Sequence, residues 1–179
     1  ALVIANRMDI PGQPLYALGT GRLTAPALTE NTMSTDDLFL ICNYAVLPAW
    51  FLLFFLPHHR VTQLSVHAIW VPLLLGPFYI WALFFGQPAP EGAGFGSLES
   101  VMMLFQSPTA VLGGWIHYLV FDLFVGAWIV RDAKRQGIKH WLIMPFLLVT
   151  LMAGPAGLML YLLLRLALKR TVTLIESAG

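Results

Sequence analysis

One segment constrains the fold of this chain more than any other: residues 113–139, GGWIHYLVFDLFVGAWIVRDAKRQGIK. Its first eighteen residues are almost all apolar but include His117 and Asp122, and the run ends at a dense basic patch, residues 131–135. This pattern predicts a membrane-spanning helix that carries a carboxylate into the bilayer and stops at a charged interface. Because a charge at the bilayer centre costs about 2.5–3.5 kcal/mol on insertion scales, an intramembrane aspartate indicates a functional site.

The composition extends this prediction to most of the chain. Only 11% of the residues are charged and 58% are hydrophobic, whereas soluble domains have about 25% charged residues. A soluble core of 179 residues cannot bury so much apolar surface, so a lipid bilayer is the expected solvent and partner. The basic residues cluster at the ends of apolar runs, and a net charge of +1 gives no reason to expect nucleic acid as a partner. The single cysteine, Cys42, excludes an internal disulfide and a cysteine metal cluster.

The apolar runs predict an all-α, polytopic membrane protein: a four-transmembrane-helix bundle over residues 33–170. Ser34 is expected to cap the first helix. A short amphipathic helix over residues 97–106 is expected to lie at the interface between the second and third spans. Each predicted span reaches the length of about 20 residues that a crossing requires, and the four are residues 38–56, 61–85, 109–130 and 140–168, the last bent at Gly154-Pro155.

The flanking segments are expected to lie outside this domain. Residues 1–32 contain several Pro and Gly residues and lack the basic and apolar regions of a secretory signal. They are expected to be a disordered extension or to lie upstream of a native start at Met33, and a folded periplasmic or stromal arm is the alternative. Residues 171–179 are expected to form a C-terminal tail.

The Lys and Arg residues predict an orientation. The loops after the first and third spans, residues 57–61 and 131–139, hold five of them. Four crossings would place Arg165, Lys169 and Arg170 on the opposite face. The excess of basic residues predicts that loops 57–61 and 131–139 are cytoplasmic and that both chain ends lie outside.

Asp122 and His117 form the one titratable pair deep in the third span, and each has two interpretations. Asp122 is predicted to act as a general acid or base, or instead to be a structural carboxylate that bonds Thr150 or pairs with His67. His117 would transfer a proton or bond a substrate oxygen, or instead bond a backbone carbonyl. The two residues lie about 140° apart around a helix, so protein should cover much of this helix, as expected at the centre of a bundle.

Other polar and aromatic side chains also have two interpretations. Asn43 is predicted to join helices by hydrogen bonds, and His67 to be structural near the interface. Tyr44 and Tyr118 would position a long apolar substrate or serve as aromatic packing. The pair His58-His59 has too few converging ligands for a metal site.

Several groups of residues resemble one known family. Residues 113–118 (GGWIHY), 121–126 (FDLFVG) and 131–133 (RDA) are similar to the signature of the abscisic-acid-deficient-four-like proteins, also called neoxanthin synthase-like. Residues 151–158 (LMAGPAGL) with the following Tyr161-Leu162 resemble a second signature of that family. The resemblance covers residues 33–168. Plant members carry a plastid transit peptide and this chain shows none, so the resemblance implies a bacterial homologue in the inner membrane.

The resemblance also implies a chemistry. Plant members are associated with conversion of violaxanthin to neoxanthin, which opens a 5,6-epoxide and creates an allene without net redox change. Such a carotenoid isomerase-type enzyme needs an acid and a base, here Asp122 and His117, and neither a dissociable cofactor nor a metal. The substrate-contacting residues that we expect are Asn43, Tyr44, His67, Trp115, Tyr118 and Thr150.

Two other functions compete with this one. The first is a non-catalytic pigment-binding or assembly protein of a carotenoid pathway. The second is a small transporter, for which an intramembrane Asp and His are also expected. A transporter of this size would need to oligomerise or to contain an inverted repeat, and the two halves show no convincing repeat.

Overall fold

The computed structural model describes residues 33–174, and every regular element within that range is an α-helix, which confirms the all-α prediction. The predicted N-terminal extension, residues 1–32, and the last five residues of the predicted tail lie outside the described residues. In chain order the helices are α1 (Thr35–Phe55), α2 (Arg60–Ser65), α3 (Trp70–Phe84), α4 (Leu98–Leu104), α5 (Pro108–Arg135), α6 (His140–Met152) and α7 (Gly154–Lys169).

The two longest helices, α1 and α5, are the two in the described range that are long and apolar enough to cross a membrane. Ser34 caps α1 as predicted, because its hydroxyl accepts a hydrogen bond from the Asp37 N–H while the Asp37 carboxylate accepts one from the Ser34 N–H. The predicted short amphipathic helix is present as α4, with Ser97 as its cap. Helix α5 packs against α1, α3, α6 and α7, which confirms its central position.

Contacts along α5 give the directions of its neighbours. Helix α1 runs parallel to α5, because Asn43 contacts Trp115 near one end and Trp50 packs on Gly126 further along. A Cβ atom at position 126 would lie 2.7 Å from the Trp50 ring, so the close approach of α1 requires glycine there. Helix α3 runs antiparallel to α5, since Ala82 lies near Gly113 at the start of α5 and residue 67 near residue 131 at its end.

The second predicted span, residues 61–85, is not one continuous helix. It is divided into α2 and α3 by a break at residues 66–69. Pro72 explains the break, because a helix continued through it would need an N–H that proline lacks and would press the proline ring against the Ala68 carbonyl. His67 lies in the break and therefore outside both helices.

The prediction that residues 140–168 form one bent crossing was wrong. Helix α6 runs antiparallel to α5, because His140 at its start bonds Phe54 at the end of α1 while Leu151 near its end bonds Tyr118 in the first half of α5. The chain then turns at Ala153. Helix α7 runs parallel to α5, because Gly154 bonds Asp122 and Arg165 pairs with Asp132 ten residues further along α5. We call α6 and α7 the hairpin. Pro155 disfavours a continued helix because its ring would oppose the carbonyl of residue 151.

The hairpin changes the distribution of charge. The end of the helices where α1, α5 and α7 finish is here called the basic end, and the other is the acidic end. The prediction that Arg165 lies on the face opposite to loop 131–139 was wrong, because it pairs with Asp132. All Lys and Arg residues of the described range lie at the basic end: Arg60, Arg131, Lys134, Arg135, Lys139, Arg165, Lys169 and Arg170.

Candidate functional site

Asp122, on α5, caps the N-terminus of α7. Its side chain is buried, with 6% exposure, and its Oδ2 accepts a hydrogen bond of 3.2 Å from the backbone N–H of Gly154, the first residue of α7. The residue that precedes α7, Ala153, has no side chain that could do this. A carboxylate at a helix N-terminus is favoured by the helix dipole. A Cβ atom on Gly154 would overlap this carboxylate, so the contact requires glycine.

Thr150 and Gly157 close the turn of the hairpin. The Thr150 hydroxyl donates to the Phe146 carbonyl at 2.7 Å, within α6. A Cβ atom on Gly157 would overlap Thr150, so α6 and α7 are in direct backbone contact here. The backbone N–H of Gly154 thus donates to Asp122. Among the described residues, no hydrogen bond joins the Asp122 side chain to Thr150 or His67, the structural partners that the sequence offered as alternatives.

The two side chains of the predicted acid/base pair lie against different neighbours. His117 is exposed on α5, and its ring lies 4.5 Å from that of Phe121 and 6.1 Å from that of Tyr79, measured between centroids. Asp122 is turned toward α7. No hydrogen bond joins the His117 and Asp122 side chains, both of which the structure describes.

Three of the remaining predicted site residues form a polar layer across α5. The Trp115 Nε1–H donates to Asn43 Oδ1 at 3.1 Å, which is the helix-joining contact expected of Asn43. The Trp115 and Tyr118 rings lie 5.2 Å apart, and the Tyr118 hydroxyl donates to the Leu151 carbonyl at 2.9 Å. This layer therefore ties α1, α5 and α6 together. Tyr44 is 67% exposed on α1 and does not join it.

A groove between α3 and α5 is the cavity that best suits an elongated apolar ligand. Its volume is about 470 Å³, and it is apolar except at the basic end, where His67 and Arg131 line it. We call it the α3/α5 groove. It was not predicted from the sequence, because it opens beside the break at residues 66–69. Its apolar lining consists of Val66, Ala68, Ile69, Val71, Pro72, Val120, Phe121, Leu123, Phe124 and Ala127.

His67 presents a hydrogen-bond donor at the end of this groove. Its Nδ1 lies 3.0 Å from the Arg131 Nη1, and because a guanidinium only donates, Nδ1 accepts and the neutral ring carries its proton on Nε2. Burial, followed by the nearby Arg131 charge, lowers the pKa of His67, against a smaller opposite effect of the Pro57 carbonyl. Nε2 is buried and makes no hydrogen bond within residues 33–174. It can therefore donate to an oxygen atom of a ligand.

Sequence reasoning missed a buried ionic cluster at the basic end. The Tyr161 hydroxyl donates to Asp132 Oδ2 at 2.6 Å, and the Arg165 Nε lies 2.9 Å from the same oxygen. Asp132 and Arg165 are each 2% exposed. An arginine four residues after a tyrosine in a run of leucines was the available signal, since positions i and i+4 share a helix face. The cluster fastens α7 to α5.

Over residues 33–174, the fold and this geometry define a class. It is an all-helical domain with two membrane-length helices, a central helix with a buried carboxylate and an apolar groove that ends at a histidine. The model of the ABA DEFICIENT 4-like family matches residues 37–161, and the chain belongs to that family. It is similar to Protein ABA DEFICIENT 4, chloroplastic, of Arabidopsis thaliana, with 25% identity over 115 residues, or 60% of this chain. The aligned region spans about half, 52%, of that relative. No solved structure matches the chain.

Proposed function

We propose that this protein is an integral membrane protein that binds a carotenoid-type substrate in the α3/α5 groove and isomerises its oxygenated end ring by acid/base chemistry. The observation that carries the proposal is the groove, an apolar cavity of about 470 Å³ with a single polar end at His67 and Arg131. Membership of the ABA DEFICIENT 4-like family supports a role in xanthophyll metabolism. A lipid-soluble, rod-shaped substrate would reach such a groove from the bilayer.

The arrangement that we propose in the membrane has three crossings, made by α1, α3 and α5, and a hairpin that enters from the basic end and returns to it. Large exposed apolar side chains on these helices, such as Phe51, Phe84 and Phe124, support contact with lipid. The basic end, with loops 57–61 and 131–139, would face the cytoplasm of a bacterial inner membrane according to the positive-inside rule.

In this proposal His67 and Arg131 act on the oxygen of the end ring. The His67 Nε2–H would donate to an epoxide oxygen, and the Arg131 charge would stabilise the negative charge that develops there as the carbon–oxygen bond breaks. A base then removes a proton from the polyene and the oxygen gains one, so the reaction has no net redox change. Asp122 and His117 as proton-transfer groups stay a prediction. His117 is in contact with Phe121, which lines the groove.

A non-catalytic pigment-binding protein is the second candidate. The hydrogen bond between Asp122 and Gly154 favours this candidate. A carboxylate that caps a helix stabilises the fold, and that role explains a buried aspartate without a catalytic reaction. The groove serves either candidate equally well.

The test is pigment analysis in a carotenoid-producing bacterium that carries the genes for violaxanthin. The wild type is expected to form a new isomeric xanthophyll, and His67→Gln to form at least about tenfold less at equal protein level in the membrane, the loss that about 1.4 kcal/mol of binding or barrier represents. His59→Asn is the matched control, because His59 caps α2 outside the groove and asparagine can still accept that hydrogen bond.

The outcomes separate the candidates. Pigment that copurifies with the wild type without any new product would select the pigment-binding protein. A well-inserted wild type that neither retains pigment nor changes it would contradict both.

Occupation of the groove is tested by filling it. Ala68→Trp places a large ring in the groove and is expected to abolish pigment retention and turnover. The control is Ala45→Trp, the same substitution at an exposed position on α1 away from the groove. Retention of pigment by Ala68→Trp would show that the substrate lies elsewhere.

A further inference from the structure

A second, smaller cavity adjoins the α3/α5 groove at the basic end. Its volume is about 240 Å³ and, among the described residues, no carboxylate lines it. His67 and Arg131 line both cavities, so this pair separates the apolar groove from what we call the basic pocket. The polar residues of the basic pocket are His58, Gln63, His67, Arg131, Lys134 and Arg135.

The electrostatics of the basic pocket favour an anion. Three of its side chains are cationic at neutral pH. Burial, followed by the charges of Lys134 and His140, lowers the pKa of His58, and the Arg131 charge acts in the same way on His67. The carboxylate of Asp132 on α5 is buried against Tyr161 and Arg165 and also pairs with Arg135.

The surroundings of the basic pocket favour an amphiphile over a free ion. The pocket lies at the level where the apolar helices end, and the α3/α5 groove begins directly behind it. Val61 and Leu64 on α2 are 51% and 63% exposed. Acyl chains could therefore pack on apolar side chains while a phosphate occupies the pocket.

We propose that the basic pocket binds the phosphate headgroup of an anionic phospholipid, from the leaflet that surrounds the basic end. Arg131 and Lys134 provide charge-assisted hydrogen bonds to the phosphate oxygens. His67 and Arg131 would then lie between this lipid headgroup and a ligand in the α3/α5 groove. The inference does not depend on carotenoid chemistry and goes beyond the proposed function.

The test uses the full chain, purified in detergent and freed of lipid. Phosphatidylglycerol is titrated and its retention is measured by native mass spectrometry, with phosphatidylcholine and glycerol 3-phosphate in parallel. We expect saturable retention of phosphatidylglycerol by the wild type. Lys134→Gln should weaken it about tenfold, and Lys169→Gln, which removes the same charge at the same end but outside the pocket, should change it less than twofold.

Three results would overturn the inference. Phosphatidylcholine has the same phosphate group but no net charge, so its equal retention would show that the net negative charge of the lipid is not recognised. Equal weakening by both substitutions would reveal a general attraction to the basic end. Displacement of the lipid by glycerol 3-phosphate at the same concentration would assign the pocket to a soluble phosphate. Because no carotenoid is present, none of these results bears on the proposed function.

Discussion

At the level of individual residues, one backbone N–H holds the start of α7 against the central helix. The Gly154 N–H is buried, and Asp122 is its acceptor. Leaving a buried donor without an acceptor costs about 1–3 kcal/mol. The carboxylate therefore has a structural role that can be separated from proton transfer by the choice of substitution.

Two substitutions at position 122 separate these roles. Asp122→Asn keeps an oxygen that accepts from Gly154, so we expect normal insertion and a small change in melting temperature. Asp122→Leu removes the acceptor and should destabilise the protein by about 1–3 kcal/mol. If Asp122 also transfers protons, Asp122→Asn abolishes product formation while it remains folded. Unchanged product formation by Asp122→Asn would remove Asp122 from the mechanism.

The glycine at position 154 is expected to be as sensitive as its partner. Gly154→Ala forces a methyl group into the Asp122 carboxylate, so we expect loss of thermal stability and displacement of the hairpin. Gly76→Ala is the control, because a Cβ atom there has no neighbour within 4 Å and alanine is the better helix former by about 0.5–1 kcal/mol. Melting curves in detergent measure both. Equal melting temperatures for the two variants would refute the close contact.

At the level of secondary-structure elements, helix α7 of the hairpin is fastened to α5 at two positions. Asp122 holds the start of α7, and the cluster of Asp132, Tyr161 and Arg165 holds its later turns. The second fastening is ionic and buried. Removing one partner of such a pair commonly costs about 3–5 kcal/mol because the other charge stays buried alone.

A double-mutant cycle tests this coupling. Arg165→Met should lower the free energy of unfolding by about 3–5 kcal/mol. The double variant Asp132→Asn/Arg165→Met should lose much less than the sum of the two single losses, since no buried charge remains unpaired. Strictly additive losses, measured from melting curves, would show that the two residues do not interact.

For the molecule as a whole, the charge distribution predicts the sidedness of its segments. With α1, α3 and α5 as crossings, residue 91 faces one side of the membrane and residue 169 the other. Four crossings would put both on the same side. The two arrangements therefore differ in whether residues 91 and 169 lie on the same side of the membrane, which chemical labelling can determine.

Cysteine labelling in intact cells distinguishes them. In a Cys42→Ala background, Glu91→Cys is expected to react with an impermeant maleimide from outside, and Lys169→Cys only after permeabilisation. Both positions are exposed, so access should depend on sidedness alone. Reaction of both variants in intact cells would restore the arrangement with four crossings.

Elements that depend on local sequence signals could be predicted, and the hairpin, which depends on a distant contact, could not. The Ser34 cap and the long helix α5 depend on local signals, namely capping chemistry and an uninterrupted apolar run, and both were predicted correctly. The Gly154-Pro155 step is compatible with a kink as well as a reversal. Its direction is decided by the pairing of Arg165 with Asp132, 33 positions apart in the chain, which no local pattern contains.

The same limit applies to the candidate site. The sequence indicated His67 as a substrate contact and the structure places it at the end of the groove, but its role in binding stays a prediction. The groove itself forms where the break at residues 66–69 lies against α5. Asp122 and His117 were paired because both are titratable and lie deep in the third span, whereas the structure turns Asp122 toward α7 and His117 toward the Tyr79 ring.

The buried Asp132–Arg165 pair also has a consequence for biosynthesis. Asp132 leaves the ribosome 33 residues before Arg165, a delay of a few seconds at about 5–20 residues per second. During this interval, of the two arginines that pair with it in the finished structure, only Arg135 has been synthesised. In the proposed membrane arrangement, the carboxylate would stay near the hydrated membrane surface until α7 is made, and burial of the pair cannot precede the synthesis of α7.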